Sequence, residues 1–261
     1  MAKTASKGRR APRQPQPLPP PLPPEERSVG QLVAETIRFY QHHFFQTLPL
    51  GLSVAALTQL TVAFGNRRVE PRGHPPPRDF DTPTSLLGGG IEVTILLGAL
   101  LLTASYIVAI VLVTGKRPAG RALALAYGLG VLVFLPVPLL AQLLVLPAVA
   151  YLALVGWVVP AALVESRRAA DSFRRSYRLA RVDFVHALGG LATLVIVFYV
   201  VRLMLALLLR NGGESTERAA ALLADLVLSP MLFVGATILY LDQAARVRVK
   251  GSKLEAPNQE A

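Results

Sequence analysis

The sequence predicts an all-α fold: a polytopic membrane helical bundle of six transmembrane helices plus two interfacial amphipathic helices. Three observations carry this. First, of 261 residues 52% are hydrophobic and only 16% charged, with a mean hydropathy of +0.47, whereas soluble domains carry about 25% charged residues. Second, from Ala122 to Val164 no side chain is ionisable except tyrosine, and Gln142 is the only strongly polar one. A soluble amphipathic helix needs a polar face. As one helix this stretch would measure roughly 64 Å, about twice a hydrocarbon core, so it must fold back as two spans. Third, the basic residues sit at the ends of apolar runs, where the positive-inside rule puts them.

Taken in order, residues 1–27 are basic and then proline-rich (Pro17 to Pro24), a composition that favours polyproline II and builds no core. We expect a disordered cytoplasmic tail, with a proline-recognising protein partner as an open alternative. No apolar stretch follows the basic start closely enough for a signal peptide. The membrane domain is expected over 28–246. It opens with Ser28 and Gln31, which read as a capping box, followed by an apolar stripe of Val29, Val33, Ile37, Tyr40 and Phe44, which reads as an interfacial helix. The spans are expected at 44–64, 87–114, 120–141, 143–164, 187–209 and 219–241. The second has a loose Gly88-Gly89-Gly90 start, and the third and fourth are joined by a tight turn. Residues 247–261 are expected as a cytoplasmic tail. The small pairs Gly51/Ala55 and Ala124/Gly128 read as close helix approaches.

Charge orients the bundle. With the N-terminus inside, segments 1–43, 115–121, 165–186 and 242–261 carry 20 of the 27 Lys and Arg residues. This favours both termini in the cytoplasm. The formal charge of +11 is thereby accounted for by anionic lipid headgroups, and nucleic acid is not expected as a partner. No cysteine is present, which excludes disulfides, thiolate metal sites and cysteine nucleophiles.

Residues 166–186 form a basic amphipathic pattern. Ala169, Phe173, Tyr177, Ala180 and Phe184 make one stripe, and Arg167, Arg174, Arg175, Arg178 and Arg181 populate the rest. The arginines are candidate lipid-headgroup contacts, set against the plainer role of enforcing topology. Ionisable residues inside a membrane are costly. Arg202 in the fifth span and Asp225 in the sixth lie at matching depths across a hairpin, so an intramembrane ion pair is expected in the outer third of the bilayer. Glu165, at the inner end of the fourth span and close to Arg168, is expected to reach Tyr240 or Asp242 and anchor the interfacial helix. Glu92 is a further ionisable candidate.

Pro160 through Glu165 with Ala170-Asp171-Ser172-Phe173-Arg174-Arg175-Ser176-Tyr177-Arg178-Leu179 resembles a segment of the glycerophosphoryl diester phosphodiesterase membrane-domain family. So do the opening Ser28-Val29-Gly30-Gln31-Leu32 with Arg38-Phe39-Tyr40, and the closing Pro230 with Thr237-Ile238-Leu239-Tyr240-Leu241-Asp242 and Arg246. The resemblance covers about residues 28 to 250 through short, degenerate motifs. It implies a six-helix module of the bacterial cytoplasmic membrane. It implies no hydrolase activity, because the chain leaves no room outside the spans for the catalytic domain fused in some members.

The residues themselves agree. Phosphodiester hydrolysis would draw carboxylates and histidines onto a metal or an acid–base pair, but His42, His43, His74 and His186 are scattered without ligand spacing. No cofactor, metal or catalytic set is expected. The reading is a non-enzymatic membrane scaffold or lipid-interacting module. The alternative is a small transporter or channel-like subunit in which Arg202, Asp225 and Glu92 line a water-accessible path.

Overall fold

The structure, a computed structural model, describes residues 27–66, 90–209 and 214–255. Among these residues every regular element is a helix. Five helical segments, Val93–Thr114, Gly120–Ala141, Val145–Val164, Phe184–Leu209 and Arg218–Val249, are long and apolar enough to cross a membrane. A shorter apolar helix, Phe44–Leu60, joins them. The outer surface carries large apolar side chains such as Leu132, Leu144, Leu203 and Leu208, which water would penalise and a hydrocarbon core accepts.

The first helix, α1 (Val29–His42), starts at the capping box the sequence predicts: Ser28 N–H donates to Gln31 Oε1 at 2.8 Å, and Gln31 N–H donates to Ser28 Oγ at 3.4 Å. Its buried face is Leu32, Thr36 and Tyr40, one position away from most of the expected stripe. The reason is that α1 docks on two protein helices instead of lying free in the interface. After a break at His43, α2 (Phe44–Asn66) follows, with Pro49 inside it. The next helix, α3 (Gly90–Thr114), begins where the glycine run ends and stops at Gly115, whose φ of 64° is the left-handed conformation of a helix C-terminal glycine.

The uncharged stretch does fold back, but as four pieces: α4 (Gly120–Phe134), α5 (Val137–Leu143), α6 (Val145–Val155) and α7 (Val158–Val164). Leu144 is extended (φ −162°, ψ 144°) and makes the turn between the two limbs. Each limb is interrupted for a reason visible in the sequence. Pro136 and Pro138 lack amide hydrogens at the α4–α5 junction, and Pro160 leaves the Gly156 carbonyl without its helical donor at the α6–α7 junction.

The basic helix is α8 (Ala169–Val182), followed by α9 (Phe184–Leu209) and α10 (Glu214–Glu255). The last runs 42 residues without a break, so positions 247–255, expected as part of a tail, continue it. The bundle is organised around α10, which packs on α1, α2, α3, α8 and α9. It comes close to α2 at Gly51, where an added Cβ would lie 1.9 Å from the Leu226 carbonyl oxygen. The expected Ala124/Gly128 approach is not made. Both residues face outward and nothing lies within 4 Å of a Cβ at Gly128. Two residues further on, Gly130 faces Thr103 of α3 instead. Residues 1–26, 67–89, 210–213 and 256–261 lie outside the described residues, as do the side chains of Glu92 and Gln142.

Candidate functional site

Among the described residues the ion pairs gather in two layers. One lies at the end of the bundle where α1, α7, α8 and the far half of α10 meet, and the other is around Asp225. Along α10 the two layers, marked by Asp242 and Asp225, are about 26 Å apart.

At the basic end, Glu165 caps the transition from α7 to α8, just before Ser166 with its left-handed φ of 51°. Its carboxylate accepts from Tyr240 Oη at 2.8 Å, Arg175 Nε at 3.1 Å and Arg167 Nε at 2.6 Å. It therefore ties α8 to α10. The expected neighbour Arg168 is not the partner, because its backbone instead opens α8, whose Ser172 Oγ donates to the Arg168 carbonyl. Burial raises the Glu165 carboxyl, but the hydroxyl of Tyr240 and the guanidiniums of Arg167 and Arg175 together hold it below its ordinary value.

Asp242 does not join Glu165. It is fully buried and accepts from Arg246 Nε at 3.1 Å, while His186 Nε2 lies 2.9 Å away. Arg246 also donates to Asp183 at 3.2 Å and to the Arg27 carbonyl at 2.6 Å. Asp183 caps α9 by accepting from the His186 amide at 3.1 Å. The His186 ring thus meets one carboxylate here, that of Asp242. Two signals were readable: the Asp183/His186 spacing of an N-cap, and the Asp242/Arg246 pair at i,i+4. Among the described residues no cluster of three or more His, Cys, Asp or Glu side chains is placed to hold a metal ion.

The faces of α8 differ from the expected stripe. Ser172, Arg175, Ser176, Leu179 and Ala180 are buried, and Ser176 Oγ donates to the Leu154 carbonyl at 2.7 Å. Small hydroxyl side chains let α8 lie close against α6 and α7, so the aromatics Phe173 and Tyr177 turn outward. With them go Arg174, whose side chain is 83% exposed, Arg178 and Arg181. Arg181 lies over the Tyr177 ring, 5.5 Å from its centroid. Arg175, one of the candidate headgroup contacts, is 9% exposed and held by Glu165, so it faces the protein. Arg167 is partly engaged by the same carboxylate.

In the second layer the structure brings Arg202 and Asp225 together. Arg202 Nη2 donates to Oδ2 at 3.4 Å, and Thr58 Oγ1 donates to the same oxygen at 2.7 Å. Arg202 Nε lies 3.3 Å from Oδ1 but is not aligned for a hydrogen bond, so that oxygen is held by charge alone. Asp225 is 1% exposed, and the Arg202 side chain is 33% exposed. The carboxylate is sealed by packing, whereas the guanidinium reaches the bundle edge.

Compared with protein-family models, curated proteins and solved structures, the chain matches none.

Proposed function

We propose that this chain is a non-enzymatic, multi-pass module of the bacterial cytoplasmic membrane, with both termini in the cytoplasm, that binds anionic phospholipid headgroups through the outer face of α8. The observation that carries the reading is the sorting of arginines on one helix. Arg175 is consumed by Glu165, while Arg174, Arg178 and Arg181 stand outward beside Phe173 and Tyr177. Aromatic rings at the headgroup level with guanidiniums beside them suit an anionic interface. The transport alternative needs water to reach Asp225, and the packing around that carboxylate argues against it.

We also read the chain as a relative of the glycerophosphoryl diester phosphodiesterase membrane-domain proteins. In support, pieces of the resembling segments meet physically, since Glu165 binds both Arg175 and Tyr240. The orientation rests on the charge count together with the gathering of Arg27, Arg175 and Arg246 into one polar layer.

Lipid selectivity tests the proposal. At about 1 kcal/mol per arginine, replacing Arg174, Arg178 and Arg181 by Gln should lower the preference for phosphatidylglycerol over phosphatidylcholine by about two orders of magnitude, read by native mass spectrometry. Undiminished preference would remove α8 from the site.

A further inference from the structure

Between the two polar layers the helices line a cavity of about 190 Å³. Its wall is apolar almost throughout and includes Tyr106 of α3, Phe134 of α4, Leu152 of α6, Trp157, Val195 of α9 and Phe233 of α10. From the ends of α3 and α9 nearest the basic layer, Tyr106 and Val195 lie about 12 and 16 Å along their helices. That depth is the middle of a hydrocarbon core of about 30 Å.

An empty space there is unfavourable, since each wall atom lacks partners on one side and dispersion contacts are lost. Water does not fill it, because a water needs two to four polar partners and the wall supplies next to none. A dry cavity of about 150 Å³ lined by aliphatic and aromatic residues accepts benzene, so this one accommodates roughly six to eight chain carbons. The cavity is partly open, not sealed. At its depth the bilayer consists of acyl chains, which are thin and flexible enough to enter between helices.

We propose that this cavity is a binding site for one acyl chain of a membrane phospholipid. The inference rests on the apolar wall and its depth, not on the headgroup reading, and a zwitterionic lipid serves as well as an anionic one.

The chain's one tryptophan is in the cavity wall and only 1% exposed, which supplies the readout. The full chain is reconstituted in phosphatidylcholine brominated midway along its acyl chains, and Trp157 emission is compared with that in unbrominated lipid. Strong quenching is expected, with most of it lost in Val195→Phe and in Ala236→Leu, each of which fills the cavity while helical content is retained. Unquenched wild-type emission, or equal quenching in the filled variants, overturns the proposal. If neither variant folds, the smaller filling substitution Ala236→Val is read in the same way: reduced quenching supports the site, and undiminished quenching overturns the proposal. Loss of phosphatidylglycerol preference in the α8 variants leaves this result untouched, so the two proposals fail separately.

Discussion

Removing Arg202 should destabilise the bundle more than removing Asp225, although the two form one pair. Arg202→Met leaves the Asp225 carboxylate at 1% exposure with only Thr58 donating to it. Stranding a buried charge in this way costs about 3 kcal/mol. In Asp225→Leu the stranded group is Arg202, one-third exposed already, whose long stem lets it turn outward, and we expect a cost of about 1–2 kcal/mol. The double variant strands nothing and should lie within about 1 kcal/mol of wild type. Exchanging the two charges, by contrast, should rescue poorly, because the Asp225 site is packed for a short side chain beside Thr58. The assay is a double-mutant cycle on thermal unfolding in bicelles followed by Trp157 emission, with Arg202→Met shifted down by roughly 10 °C. Additive losses in the double variant, or a smaller loss for Arg202→Met than for Asp225→Leu, would refute the argument.

Two further predictions concern the basic layer and the spine. Because Glu165 is held below its ordinary value of 4.5, the stability it contributes is fully present above about that pH and is lost as pH falls through the lower folded value. Glu165→Gln should therefore cost about 2 kcal/mol at neutral pH, and its melting curve should merge with wild type in acid; a difference that persists in acid would count against it. At the α2–α10 contact, Gly51→Ala should cost about 3 kcal/mol, since a Cβ 1.9 Å from the Leu226 carbonyl meets backbone that cannot rotate away. Gly128→Ala, with open space around it, should be neutral or gain up to about 1 kcal/mol of helix propensity, and melting of both variants in one detergent checks the contrast.

The spans were legible because bilayer thickness and the hydrogen-bonding needs of the backbone leave the chain few options. The Arg202–Asp225 pair was legible because ionised groups at equal depth have few other partners. The faces of α1 and α8 were not. Hydrophobic stripes report burial against water or lipid alike, and both helices dock on protein. There Ser172 and Ser176 pack closer than Phe173 and Tyr177 can, and Thr36, bonded to its own Leu32 carbonyl, passes as apolar. The breaks within the uncharged hairpin were half legible. A tight turn between the third and fourth spans was expected, and Pro136 and Pro138 do interrupt the first limb, yet the turn itself falls at Leu144, where no residue type announces an extended backbone. The Asp183–His186–Asp242–Arg246 network joins residues of α9 and α10 through a tertiary contact that spacing along the chain does not show.

The position of α10 in the chain has a consequence for biogenesis. It is the last of these helices to leave the ribosome, yet α1, α2, α3, α8 and α9 all rest on it. The earlier spans therefore enter the bilayer before the surface they are shaped for exists. Gly51 waits without the Leu226 backbone, Arg202 without its counterion and Glu165 without the Tyr240 hydroxyl. Insertion and consolidation are thus separate events in time. Made after the helices it gathers, α10 closes the structure, and a ribosome stalled before Glu214, where α10 begins, would leave the earlier spans inserted with no common axis.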